Sequence, residues 1–178
     1  MKEAEILKLE ALSYWRFERN HIIGAIECQD ADVKTMTRAK MLTETEVKVS
    51  ITDIQREVST KHYKHRQMRL DNLPSGQYYS AIGHCSVHYF YFLVPLRLKD
   101  KALEICKERY PYAGLLVLDG EVKDLYYDRC IKSIKLAKRL KRDRATETEI
   151  IHLGRGAVNT ALRYGNKILA LNSKNKEE

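Results

Sequence analysis

Proline and glycine are scarce, with three prolines and eight glycines in 178 residues. That scarcity, beside a hydrophobic fraction of 44% and charges of both signs, excludes collagen-like and low-complexity chains and describes a globular one. Cysteine is sparse as well. Cys28, Cys85, Cys106 and Cys130 lie far apart, with no Cys-x-x-Cys pair. A disulfide framework is therefore not indicated, and a reducing, cytoplasmic compartment is expected. The opening Met1-Lys2-Glu3-Ala4-Glu5 has acids where a secretory signal carries a basic region and an apolar run, so no export is expected. A long apolar run is also missing. Gln77 to Leu96 contains no Asp, Glu, Lys or Arg, but Gly83, His84, Ser86, His88 and the tyrosines make it too polar to cross a membrane.

The length fits one ordinary domain of about 100–200 residues around a single core. Lys and Arg number 32 against 24 Asp and Glu, a formal charge of +8. Clustered cations release counterions when they neutralise phosphates, so nucleic acid is the first partner to consider.

Apolar positions at Ile6, Leu9, Leu12 and Phe17 follow a helical period and predict a helix over 2–18. Strands are predicted at 21–28, around Ala31-Asp32-Val33 and at 42–49, with a turn between Met36 and Met41. Ser50 or Thr52 can cap a helix over 51–65, with Asp53 in its first turn. Asp71-Asn72, Pro74-Ser75-Gly76 and Gly83 mark 67–86 as an irregular connection. The aromatic and β-branched run Val87–Val94, stopped by Pro95, predicts another strand. A helix over Asp100–Arg109, a strand at Gly114–Leu118, a turn at Asp119-Gly120 and a strand through Tyr127 follow. Ile131, Ile134, Ala137 and Leu140 then predict a helix to Arg144, its other face carrying seven basic residues and one acid. The capping-box pattern Thr146-x-x-Glu149 opens a last helix to about Leu171, and 172–178 form a polar tail. The order implies an α/β fold with a mixed sheet.

One constellation carries chemistry. On the strand 42–49, Glu44, Glu46 and Lys48 alternate with Val47 and Val49, so the charged residues share a face. Asp32 lies fourteen residues before Glu46, on the preceding strand or its exit. Two carboxylates from neighbouring strands suit a hard divalent cation such as Mg²⁺ or Mn²⁺, and a lysine beside them can orient or help deprotonate an attacking water. Phosphodiester hydrolysis needs these parts.

Ala31-Asp32-Val33, Glu44-Thr45-Glu46-Val47-Lys48-Val49-Ser50, Asp53, Lys61-His62, Tyr89–Pro95 and Gly114–Val117 together resemble the MmcB-like DNA-repair proteins and related phage proteins of the PD-(D/E)XK nuclease superfamily. The resemblance covers roughly residues 10–140. It implies a restriction-endonuclease-like αβββαβ core over 1–144, with 145–171 as a helical extension of the same domain. It further implies that Asp32 and Glu46 are ligands of Mg²⁺ or Mn²⁺, with the carbonyl of Val47 as an extra ligand, and that Lys48 assists the nucleophilic water. Glu27 matches an additional acidic position of relatives, and Lys61 and His62 are expected to contact substrate. Ala31 stands where the superfamily motif has proline. The implied activity is metal-dependent cleavage of nucleic acid, expected to be DNA, in repair, recombination or phage and host DNA processing; cutting both strands would suit a homodimer.

Other readings stay open on the sequence alone. Lys132, Lys135, Arg139 and Arg142, at helical spacing, would track phosphates in a non-catalytic nucleic-acid-binding module. His84-Cys85-x-x-His88 with His62 and His65 offers donors for zinc, without a Cys-x-x-Cys pair to support it. Tyr78, Tyr79, Tyr89 and Tyr91 would supply an interface in a structural protein that retains an old nuclease fold.

Overall fold

The computed structural model describes residues 2–70, 87–119, 131–140 and 143–174. Its framework is a six-stranded mixed sheet in the order β1-β2-β3-β4-β5-β6. The strands are β1 (Ile23–Cys28), β2 (Ala31–Met36), β3 (Leu42–Val47), β4 (Tyr89–Pro95), β5 (Gly114–Leu118) and β6 (Ile131–Lys135). The first three form an antiparallel meander, β3, β4 and β5 run parallel, and β6 closes the far edge antiparallel to β5.

Helices cover both faces, so β4 and β5 are built almost wholly from apolar and aromatic residues. In β4, Phe90, Phe92 and Val94 enter one core while Tyr91 and Leu93 enter the other. This is the pattern expected of parallel strands buried on two sides. Helix α1 (Glu3–Ser13), continued by a π-helical turn over Tyr14–Glu18, supplies Leu7, Ala11, Tyr14 and Trp15 to the second core. Trp15 Nε1 donates to Thr45 Oγ1 at 2.9 Å, tying α1 to β3. Helices α2 (Ile51–Thr60), α3 (His62–Leu70), α4 (Lys99–Arg109) and α5 (Glu147–Lys174) contribute Ile54, Met68, Ala102 and Leu153 to the first core.

Ser50 caps α2 by accepting from the Asp53 N–H at 3.2 Å. The single helix expected over 51–65 is instead two, broken at Lys61 (φ −121°, ψ 42°). The break turns Lys61, Lys64 and His65 toward the sheet. At the other end of the chain, α5 lies against β1, and Thr160 Oγ1 accepts from the Ile26 N–H at 2.9 Å. Pairing to a helix in this way protects an edge strand. The helix runs past Leu171 to Lys174, so the expected tail begins later than its composition suggests.

The helix expected over 131–144 is not formed. Residues 131–135 are β6, and 136–140 continue without helix. Side chains three apart on a strand point to opposite faces. Ile131 accordingly enters the core beneath α1, while Ile134 packs against the other. An apolar spacing of three thus served two faces of an edge strand rather than one face of a helix. A register shift opposite Leu115 and Leu116 adds a bulge at the same place. The turn residue Gly120, the strand through Tyr127, most of the irregular connection 67–86 and the last four residues lie outside the described residues.

Candidate functional site: a buried carboxylate cluster at the end of β2 and β3

At one end of the sheet β2 and β3 separate. Val33 still pairs with Thr45, but the ladder stops there, while β3 goes on pairing with β4 through Val47 and Leu93. The Val47 N–H that loses its strand partner donates to Asp32 Oδ2 at 2.9 Å. Asp32 Oδ1 in turn meets Lys8 Nζ of α1 at 2.8 Å. Lys8 also reaches Glu27 at 3.1 Å, and Arg163 of α5 meets Glu27 from the other side. Glu27 holds a left-handed backbone, φ 52°.

Alternation along β3 turns Glu44 and Glu46 to the face covered by α2 and α3, where both are buried; Glu46 is 1% exposed. The charged strand face read from the sequence is therefore real but roofed by helix. Lys61 Nζ lies 2.6 Å from Glu46 Oε2, and Lys64 Nζ 2.7 Å from Glu46 Oε1. Lys64 also meets Glu44. Both ammonium groups donate to the Asp30 carbonyl, at 3.0 Å and 3.1 Å.

Lys48 stands 3.6 Å from Glu46 Oε2 and 2.5 Å from Glu57 Oε2, so it is shared between the strand carboxylate and a buried glutamate of α2. Glu57 Oε1 is 3.1 Å from His65 Nε2, and His65 Nδ1 is 2.7 Å from the Tyr112 hydroxyl. A carboxylate can only accept, so His65 carries its proton on Nε2 and accepts from Tyr112 on Nδ1. The ring is enclosed by Phe90 and Tyr110 at centroid distances of 5.3 and 5.4 Å.

These surroundings set the ionisation. Burial pushes the Glu46 carboxyl up to about 7, with the Glu57 and Asp32 charges adding to the effect and Lys61 opposing it. Burial also pushes Glu57 upward, but the His65 hydrogen bond and the Lys48 and Lys61 charges outweigh it and bring Glu57 to about 2. Lys61 is raised: burial disfavours its charge, and the Glu46, Glu57 and Asp32 carboxylates more than compensate. Two neighbouring carboxylates, one driven up and the other down, are a pattern that clusters at functional sites.

An open cleft of about 660 Å³ lies over this end of the sheet, walled by Lys8, Glu27, Asp30, Asp32, Lys61, His62 and Lys64. Glu46 sits beneath Lys61 and Lys64. Asp32, Glu46, Lys48, Lys61 and, at the rim, Glu27 and His62 are thus gathered at one place. The Val47 backbone reaches it through its N–H. Lys8, Glu44, Glu57, Lys64, His65 and Arg163 belong to the same cluster, although the Asp…Glu-x-Lys motif does not include them. The spacing Glu57, Lys61, Lys64, His65 follows a helical face and is the part of that cluster with a signal in the sequence.

The remaining expected residues lie elsewhere. Lys132 pairs with Asp119, and Lys135 turns inward to the carbonyls of Pro111 and Ala113, at 3.1 Å to the former. Arg139 is exposed in the non-helical segment beyond β6, and Arg142 lies outside the described residues. The phosphate-tracking helical stripe is therefore not formed among Lys132, Lys135 and Arg139, because the segment is not a helix.

Among the described residues no three His, Cys, Asp or Glu side chains form a metal cage. His65 and His88 use both ring nitrogens in protein hydrogen bonds, His88 accepting from the Leu42 N–H at 2.9 Å and donating to the Asp143 carbonyl at 2.5 Å. They are structural rather than zinc ligands, and His84 and Cys85 lie outside the described residues. Mg²⁺ makes a different demand, since one or two carboxylates with water and substrate oxygens suffice. In donor type the oxygens of Asp32, Glu46 and the Asp30 carbonyl suit that demand, although each already has an N–H or ammonium partner. Tyr91 is core and Tyr89 half-buried, whereas Tyr78 and Tyr79 lie outside the described residues.

No protein-family model and no curated protein matches the chain. Among solved structures, the chain is similar to the SPO1766 protein of unknown function from Silicibacter pomeroyi, with a TM-score of 0.54 and 14% identity over 98% of this chain and 94% of that one. At that identity the likeness concerns the fold. No helix among the described residues is long and apolar enough to cross a membrane.

Proposed function

We propose that the chain is a metal-dependent nuclease of the PD-(D/E)XK type, built on a restriction-endonuclease-like core and acting on DNA. The observation that carries this reading is the meeting of Asp32, Glu46 and Lys48 where β2 parts from β3, with Lys48 Nζ 3.6 Å from Glu46 and the Asp32 charge felt at Glu46. The element order, a helix, three strands, helices and a parallel strand, supports the core assignment.

In this reading Asp32 and Glu46, with the Asp30 or Val47 carbonyl, hold Mg²⁺ or Mn²⁺. When bound, such an ion would supply charge neutralisation at the phosphate and a more acidic water. Lys48, anchored as an ammonium between Glu46 and Glu57, orients that water by donating to it. Lys8, Lys61, His62 and Lys64 at the cleft wall attract and position the phosphate backbone. Hydrolysis forms one P–O bond to water and breaks another, and the leaving oxygen takes up a proton.

A second reading, a nucleic-acid-binding module without cleavage, draws on the saturation of both Glu46 oxygens by Lys61 and Lys64. Incubation with linear, circular, single-stranded and branched DNA in Mg²⁺ or Mn²⁺ separates the two. The nuclease reading requires cleavage that EDTA stops, that Asp32→Ala and Glu46→Ala abolish, and that Lys48→Ala slows by about 10²–10⁴-fold. Metal-independent DNA binding with no cleavage of any substrate leaves the binding module.

A further inference from the structure

Lys61 and Lys64 occupy the oxygens that a divalent cation would need. Their ammonium groups sit on the two different oxygens of Glu46, at 2.6 and 2.7 Å, and converge on one backbone carbonyl, Asp30, at 3.0 and 3.1 Å. Their side chains are 29% and 14% exposed, whereas Glu46 is 1% exposed beneath them. They therefore stand between the carboxylate and the open cleft. Each is a compact charge on a flexible four-carbon stem, able to turn from the carboxylate toward solvent without moving the backbone.

We propose that Lys61 and Lys64 form a displaceable cationic plug: the two ammonium groups hold the Glu46 and Asp30 oxygens until nucleic-acid phosphates draw them outward, and only then do those oxygens bind a divalent metal. The inference rests on the metal-dependent reading of the site. Its physical basis is competition. An ammonium and a hard dication on the same oxygens repel each other and compete for the same lone pairs, so each weakens the binding of the other. A phosphate placed in the cleft competes for the ammonium groups and lowers the cost of releasing them. Metal and nucleic acid then bind with positive coupling, and linkage makes the effect reciprocal. The free protein is a poor metal binder in this scheme, and the site assembles on its substrate.

The test measures Mn²⁺ binding by the full chain without nucleic acid, from the electron paramagnetic resonance signal of free Mn²⁺. The proteins compared are the parent, Lys61→Gln, Lys64→Gln, the double variant, and Glu46→Gln in the parent and double-variant backgrounds. Circular dichroism establishes that each is folded. Removing both ammonium groups is expected to tighten Mn²⁺ binding about tenfold, an ordinary coupling magnitude, and each single change to tighten it by a smaller factor. Glu46→Gln is expected to abolish the gain. If the double variant does not fold, the single variants carry the same comparison. Mn²⁺ binding that depends on Glu46 but is equal or weaker in the lysine variants overturns the plug and leaves the metal site standing. Absence of any Glu46-dependent Mn²⁺ binding, in every protein, overturns the metal reading and the plug with it.

Discussion

Lys48 lies 2.5 Å from Glu57 and 3.6 Å from Glu46, so its closer carboxylate comes from α2 and not from its own strand. Glu57 is itself fixed by His65, which is fixed by Tyr112. The lysine of the Glu-x-Lys pair thus ends a buried chain that reaches across three elements. Glu57→Gln keeps the shape but removes the charge that anchors Lys48. On the nuclease reading its expected effect in a cleavage assay is a fall in kcat of about 10–100-fold with a smaller change in KM, since Glu57 reaches the cleft wall only through Lys61, at 3.7 Å. Glu57→Asp should recover part of the loss. An equal rise in KM with unchanged kcat would count against a positioning role.

The proposed function puts contact with nucleic acid at the cleft wall rather than on the basic segment after residue 131. Neutralising Lys61 and Lys64 should reduce the salt dependence of DNA binding, by about 0.7–0.9 in log–log slope for each phosphate that the protein no longer neutralises. Lys135→Ala, in contrast, removes an inward-turned side chain whose charge burial already disfavours. It should alter the urea midpoint while leaving that slope unchanged. Fluorescence anisotropy across a salt series provides the measurement.

Stability is expected to fall on the acid side through His21. This residue is 6% exposed, with Nδ1 2.8 Å from Thr35 Oγ1 and its ring tilted against Trp15. Burial, with Arg19 and Arg16 nearby, lowers its pKa from 6.5 to about 4. The unfolded chain therefore binds more protons between those values, and stability is lost as pH falls through that window. The full loss is on the order of 3 kcal/mol. Glu46 acts in the opposite sense: its carboxyl is raised, so its contribution is complete below about 4.5 and lost as pH rises through about 7. Chemical denaturation of His21→Asn at pH 7.5 and pH 4 isolates the histidine. The variant should lose less stability than the parent over that interval, and identical losses would reject the assignment.

Two glycines of α5 should respond in opposite directions. A Cβ on Gly156 would stand 2.7 Å from Cys28 Sγ and 3.1 Å from the Ala25 Cβ, so this glycine permits α5 to approach β1. Gly156→Val should destabilise by about 1–3 kcal/mol through overpacking. Gly154 meets nothing within 4 Å, and Gly154→Ala should stabilise by roughly 0.5–1 kcal/mol through helix propensity. Urea titrations of the two variants check both signs.

The sequence by itself determined what local periodicity and local chemistry can determine. Alternation in 42–47, the apolar run closed by Pro95 and the Ser50 cap located β3, β4 and α2, and the two-residue step from Glu46 to Lys48 put both on one face. Tertiary structure decided the rest. Ile131 and Ile134 carry a three-residue spacing that a helix and a two-faced edge strand share, and only pairing with β5 selects the strand. Glu57, Lys61, Lys64 and His65 follow one helical face in the sequence, but nothing local says that this face closes over Glu46. Lys8 and Tyr112 reach the cluster from α1 and from the residues before β5, across separations that no motif spacing encodes. Burial is likewise a property of the assembled layers. The same Glu-x-Lys that would be a weak ion pair on an open strand becomes, under α2 and α3, a carboxylate at about 7 surrounded by three lysines, because desolvation acts only once the helices have packed.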